Sequence, residues 1–105
     1  MKEISINSNN LPWEPAPDYP QGAMRKVLRQ DDTGNPLAIL LKLPPGFQLD
    51  DHSHVLNEQH FVLEGEYESM GEHFTSGQYR SIPEHADHGP FRSSTGAIVL
   101  VVWNS

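Results

Sequence analysis

The sequence predicts an all-β fold, either a closed barrel or two stacked sheets. Three observations predict it. Short apolar segments recur at even spacing, bounded by turns that contain glycine or proline. No stretch holds a convincing helical period. The run Ala97 to Trp103, AIVLVVW, is apolar without a break and has the length of a strand. The chain of 105 residues is long enough for one hydrophobic core and no second.

Taken in order, Lys2 to Asn10 alternates weakly through Ile4 and Ile6 and is expected as an edge strand. Leu11 to Gln21 carries Pro12, Pro15, Pro17 and Pro20. Proline fixes φ and removes a donor, so extended irregular chain is expected there. Trp13 and Tyr19 are expected to press this segment onto the barrel or a partner subunit, in preference to forming a ligand lid. Residues 1–23 thus read as an N-terminal arm and residues 24–105 as the barrel. Met24 to Arg29 is expected as a strand, followed by the turn cluster Asp31-Asp32-Thr33-Gly34-Asn35. Leu37 to Leu43 is an apolar strand that ends at Pro44-Pro45-Gly46. Glu66 to Phe74 reads as a hairpin with Gly71 at its tip. Thr75 to Gln78 turns the chain into a strand over Tyr79 to Ile82. Ser93 to Gly96 turns it into the last strand. There is no internal repeat, linker or low-complexity segment.

Composition removes several classes. There is no cysteine, so disulfides and thiolate metal sites are excluded and any metal must use histidine and carboxylate. A net charge of −7 argues against a nucleic-acid partner, which needs a basic face. No apolar run approaches the roughly eighteen residues of a spanning helix. The first ten residues, MKEISINSNN, lack the apolar core of a signal peptide. A cytoplasmic protein without a membrane partner is expected.

Chemistry concentrates in Gly46 to Gly65, GFQLDDHSHVLNEQHFVLEG. In a strand, side chains two apart share a face, so His52 and His54 aim at one point from Cα atoms roughly 6–7 Å apart. That is close enough for two imidazoles to share a metal ion. By the same parity Glu58 and His60 lie on that face unless a bulge intervenes. Alone, H-x-H reads equally as a histidine-rich surface loop. A second stretch, Gly77 to Arg92, GQYRSIPEHADHGPFR, adds His85 and His88 behind Pro83.

Together the two stretches resemble the paired motifs of the cupin superfamily. Gly46, His52, His54, Glu58 and Gly65 fill every specified position of the first motif. Gly77, Pro83 and His88 match the second, while His85 replaces its glycine and Arg92 its asparagine. The resemblance implies a cupin-type double-stranded β-helix, a jelly-roll barrel, in a single compact domain. Trp13-Glu14-Pro15 and the residues around His88 are also similar, though less closely, to ChrR-type cupin domains. Sigma-factor regulation is not carried over, because no N-terminal helical segment and no cysteine is available to grip a sigma factor.

The resemblance further implies one divalent transition metal held by His52, His54, Glu58 and His88. Three imidazoles and one carboxylate suit Fe, Zn, Mn, Ni or Cu, with Fe or Zn favoured, and leave two open positions on an octahedral ion. The implied function is a non-haem metal-dependent oxidoreductase of the dioxygenase type, acting on a small oxygen-rich molecule. The alternative is a non-catalytic metal-bound ligand-binding or sensor cupin. His60 reads as a proton shuttle or as a hydrogen-bonded histidine deeper in the barrel. His73 reads as surface, and His85 as facing water in preference to lining the entrance. His88, Pro90 and Arg92 share parity, which directs Arg92 to the metal side with Glu84, Glu64 or an anionic ligand as its partner. Edge strands, the apolar last strand and the aromatic arm predict a homodimer.

Overall fold

The computed structural model describes residues 3–50, 56–86 and 89–104. Among the described residues, nine strands follow a single turn of 3-10 helix at Ser8–Asn10. They are β1 (Glu14–Pro15), β2 (Met24–Gln30), β3 (Pro36–Leu43), β4 (Phe47–Leu49) and β5 (Asn57–Ser69). After them come β6 (Glu72–Thr75), β7 (Tyr79–Ile82), β8 (Phe91–Ser93) and β9 (Ala97–Asn104). Every pairing among them is antiparallel.

β5 ties the molecule together, because it serves two layers in turn. Its first part, Asn57 to Gly65, lies between β9 and β7. Its last part, Glu66 to Ser69, lies between β6 and β8. One layer therefore runs β1-β2-β3-β9-β5-β7, and the other contains β4, β8, the end of β5 and β6. The switch is made by a bulge between Val62 and Glu64, followed by Gly65 in the left-handed region at φ 76°. At this corner a Cβ on residue 65 would stand 2.1 Å from the Gly96 carbonyl oxygen, so only glycine fits. The first motif's closing glycine is thus a packing requirement. Glu66, next in sequence, fastens the same corner. Its carboxylate accepts from the Ser93 hydroxyl at 3.0 Å and from the Thr95 N–H at 3.2 Å.

The alternation in the sequence becomes an inside and an outside. Ile39, Leu41 and Leu43 on β3, Val62 on β5 and Val99 and Val101 on β9 point inward from one layer. Phe47, Tyr67, Phe74 and Phe91 meet them from the other. The expected strands at Met24, Leu37, Tyr79 and Ala97 form close to their predicted limits. The expected hairpin forms with Met70-Gly71 at its tip, both at positive φ, as a two-residue turn that matches the twist of its strands requires.

The expected edge strand over Lys2 to Asn10 does not form among the described residues 3–10. The Asn7 side chain instead accepts from the Asn9 N–H at 3.0 Å and starts the 3-10 turn, leaving Ile4 and Ile6 exposed. Asparagine and serine offer the backbone local partners that compete with a sheet ladder. The Pro-rich segment then wraps the β2 edge. Trp13 lies on the outer face, with Lys26 Nζ 4.7 Å and Lys42 Nζ 5.4 Å from its ring centroid. Glu14 pairs with Arg25 at 3.1 Å, Ala16 is buried in the core, and Tyr19 enters the interior.

Candidate functional site

A line of polar side chains runs through the largely apolar interior between the layers. Glu58 and His60, two apart on β5 ahead of the bulge, both point inward and are 2% and 5% exposed. Parity predicts this, since nothing disturbs the strand between them. A carboxylate in such a place is costly unless every oxygen is served. Trp103, directly opposite Glu58 on β9, donates its indole N–H to Oε1 at 2.6 Å. His60 Nε2 makes a short contact to Oε2. The other ring nitrogen of His60, Nδ1, lies 2.8 Å from the Tyr67 hydroxyl. Arg80 faces His60 across the β5–β7 pair, and its positive charge acts on the Tyr67 phenol. Burial raises the Tyr67 phenol above its usual range even with Arg80 beside it.

Glu58, His60 and Tyr67 share a cavity of about 20 Å³, room for one water molecule, with Tyr19, Leu49 and Phe91. Tyr19 reaches it from the arm. Burial, and after it the charge of Glu58, pushes the Tyr19 phenol far above its usual range, so it stays a hydrogen-bond donor. Tyr19 thus presses the arm onto the barrel, as expected.

His52, His54 and His88 lie outside the described residues. Leu49, three residues before His52, and Phe91, three residues after His88, both line the cavity that holds Glu58. The Phe91 ring centroid is 5.7 Å from that of His60. Among the described residues no group of three or more metal-ligating side chains is assembled. Glu58 nonetheless suits a cation. It is a carboxylate, a ligand type that divalent metals take together with imidazole.

Arg92 lies elsewhere than expected. On β8 it is Phe91 and Ser93 that point inward, so Arg92 faces out, 62% exposed, with Glu68 Oε2 at 3.7 Å. It borders a surface groove of about 350 Å³ with Asp50 and Glu68. The parity count was carried through Gly89 and Pro90, across a bend. The arginine that does enter the barrel is Arg80, whose guanidinium lies 5.0 Å from the Phe74 ring centroid and 5.4 Å from that of Phe91. Its signal was in the sequence: it shares parity with Ile82 on β7, as Trp103 shares parity with Val99 and Val101. Sequence reasoning missed Arg80 and Trp103, and it read Tyr67 equally as a pocket wall or as strand core. His73 is exposed and meets Glu66 at 3.2 Å, and His85 is exposed, as expected.

The family model described as the ChrR cupin-like domain matches residues 1–105, the whole chain. The chain belongs to this cupin family. The match settles on the ChrR branch, to which the sequence reading had given less weight. Solved structures agree on the fold of this cupin. A Nostoc punctiforme protein described provisionally as a dioxygenase is 25% identical at a TM-score of 0.83, over 92% of this chain and 34% of its own. Rhodobacter sphaeroides ChrR, solved in complex with SigE, is 22% identical at 0.72, over 93% of this chain and 52% of its own. An acetylacetone dioxygenase from Acinetobacter johnsonii is 17% identical at 0.77, over 98% of this chain and 73% of its own. The chain therefore spans about a third of the Nostoc protein and half of ChrR. No curated protein matches it. Among the described residues, no helix is long and apolar enough to cross a membrane.

Proposed function

We propose that this cupin binds one divalent transition metal through His52, His54, Glu58 and His88, with iron or zinc preferred. We further propose that it acts as a non-haem oxidoreductase of the dioxygenase type on a small oxygen-rich molecule. The observation that carries the reading is Glu58, a buried carboxylate held by two donors at the motif position where cupins place an acidic ligand. The metal would supply Lewis acidity and, as iron, electron exchange with dioxygen. The chain's own residues supply the rest. Trp103 and His60 orient the carboxylate, the apolar walls exclude water, and Tyr19 offers a protonated phenol to an oxygen of the bound molecule. The anionic ligand expected from Arg92 loses its support, because that side chain faces outward.

The test is metal analysis of protein from native-like medium, then oxygen uptake against diketones, catechols and hydroxy-ketones. Metal-dependent uptake with one of these classes supports the reading. A stoichiometric metal without uptake favours the second reading, a metal-bound ligand-binding or sensor domain. The full-length match to the ChrR family supports that alternative. Absence of bound metal overturns both.

A homodimer fits the outer face. Leu40, Leu100, Phe61 and Tyr79 are consecutive cross-strand partners on β3, β9, β5 and β7, an apolar row with Phe61 39% and Tyr79 58% exposed. Light scattering at micromolar concentration is expected to give a dimer mass, and Phe61→Glu to shift it toward monomer. A monomeric wild-type protein would contradict this.

A further inference from the structure

Tyr19 differs from the other described residues that line the cavity at Glu58. Those stand on β3, β4, β5, β8 and β9, each held in register by a neighbouring strand. Tyr19 stands on a loop. The loop leaves the barrel at Ala16 and returns at Ala23, and both alanines are buried in the core. Its base is tied. Glu14 and Pro15 pair with Arg25 and Met24, Arg25 meets Glu14 at 3.1 Å, and the Ala16 N–H donates to the Ala23 carbonyl at 3.0 Å. Above the base, Pro17, Asp18, Pro20, Gln21 and Gly22 are exposed, while Tyr19 reaches the cavity. The Tyr19 N–H donates to the Ala16 carbonyl at 3.1 Å and the Ala23 N–H to the Pro20 carbonyl at 3.3 Å. These bonds keep the loop compact without tying its tip to either layer. A short loop with joined ends can move as one piece.

Two features of Tyr19 point to a ligand. Its hydroxyl has no hydrogen-bond partner among the described residues, although the charge of Glu58 reaches the phenol. A tyrosine hydroxyl in an apolar setting usually finds one. The described walls also leave only about 20 Å³ beside it, room for one water molecule. A larger molecule enters by displacing a wall, and the loop is the wall that yields most easily. Its base and every strand stay paired when it moves, and one side chain leaves the core.

We propose that the loop of residues 16–23 is the gate of this cavity and that Tyr19 is its ligand-contacting residue. The loop swings out to admit a small molecule, then returns the phenol to donate a hydrogen bond to a carbonyl or enolate oxygen of that molecule. The class selected carries the acceptor on short apolar groups, because the walls around the phenol include Leu41, Leu43, Phe47 and Val99. This rests on the reading of the cavity as a ligand site, and the contact itself needs no metal.

The experiment titrates metal-free protein with pentane-2,4-dione, a probe of this class, and follows amide signals of β5 and β9 by NMR. Saturable binding is expected in the wild type. Tyr19→Phe keeps the ring and loses the hydroxyl, so it should bind about five- to tenfold more weakly, the contribution of one hydrogen bond. Tyr19→Ala unplugs the cavity. It should exchange bound and free probe about tenfold faster or more, because opening no longer draws an aromatic side chain out of the core. Equal affinity in Tyr19→Phe overturns the contact, an unchanged exchange rate in Tyr19→Ala overturns the gate, and a wild-type protein that does not bind the probe overturns both. Metal analysis stays separate. Tyrosine-dependent binding in a protein that holds no metal would sustain this inference and defeat the metal reading, and a metal-loaded protein without tyrosine dependence would do the reverse.

Discussion

Substitution of His52 or His88 by alanine is expected to strip most of the bound metal. Each removes a donor from the inner set proposed above, so the loss should exceed the roughly 10- to 100-fold that removal of an orienting neighbour costs. Glu58→Gln should also release metal, by a different route. The amide keeps the volume but loses the charge and presents an NH2 where an oxygen stood. It would then set that NH2 against the part-buried Trp103 N–H or the buried His60 ring. A buried donor left unsatisfied costs about 1–3 kcal/mol, so this variant should also melt earlier. Elemental analysis and thermal melts of the metal-free proteins together separate the cases: metal loss with metal-free stability unchanged for the histidines, metal content and metal-free stability both lowered for Glu58. Full metal retention in both His52→Ala and His88→Ala would overturn the ligand assignment.

Gly65→Ala is expected to be the most damaging single methyl that can be added to this chain's motif glycines. Residue 65 sits at φ 76°, and the new Cβ would press on Gly96 O at 2.1 Å and on the Ala97 Cα at 2.8 Å. Those are backbone atoms of the turn into β9 and cannot swing aside as a side chain could. A left-handed non-glycine residue costs on the order of 1–3 kcal/mol before any clash is counted. The total should pass about 3 kcal/mol, lowering Tm by more than about 12 °C. Gly46→Ala and Gly77→Ala are the controls. Both positions have positive φ, 81° and 93°, but a Cβ at either meets nothing within 4 Å. They should lose only the conformational part. Equal losses at Gly65, Gly46 and Gly77 would show that backbone conformation alone, not the corner contact, explains the motif glycine.

Much of the barrel was legible because strand periodicity is short and local. Leu37 to Leu43 and Ala97 to Trp103 announce buried strands without reference to any partner, and their inward sets follow from counting by two. The same count put Glu58 and His60 on one face. It failed at Arg92, where the count crossed Gly89-Pro90, and it failed over Lys2 to Asn10. There the alternation was real, but Asn7 offered the chain a local hydrogen bond that a sheet edge did not outbid.

The sequence by itself determined the all-β architecture, the family, and the placement of an acidic residue on the strand that follows H-x-H. These depend on residue types at fixed short separations, and strand geometry is the same wherever the strand ends up. Only the tertiary structure decided that β5 belongs to two layers, because a bulge and a glycine turn the strand and the consequences appear in residues 66 to 69 and their new neighbours. Only it decided that Trp103, 45 residues away, would serve Glu58. It also chose Arg80 over Arg92 as the interior cation and brought Tyr19 from a proline-rich arm to the cavity. Long-range pairing selects these contacts, since a side chain's parity says which way it faces but not what stands opposite until the strands have found their register.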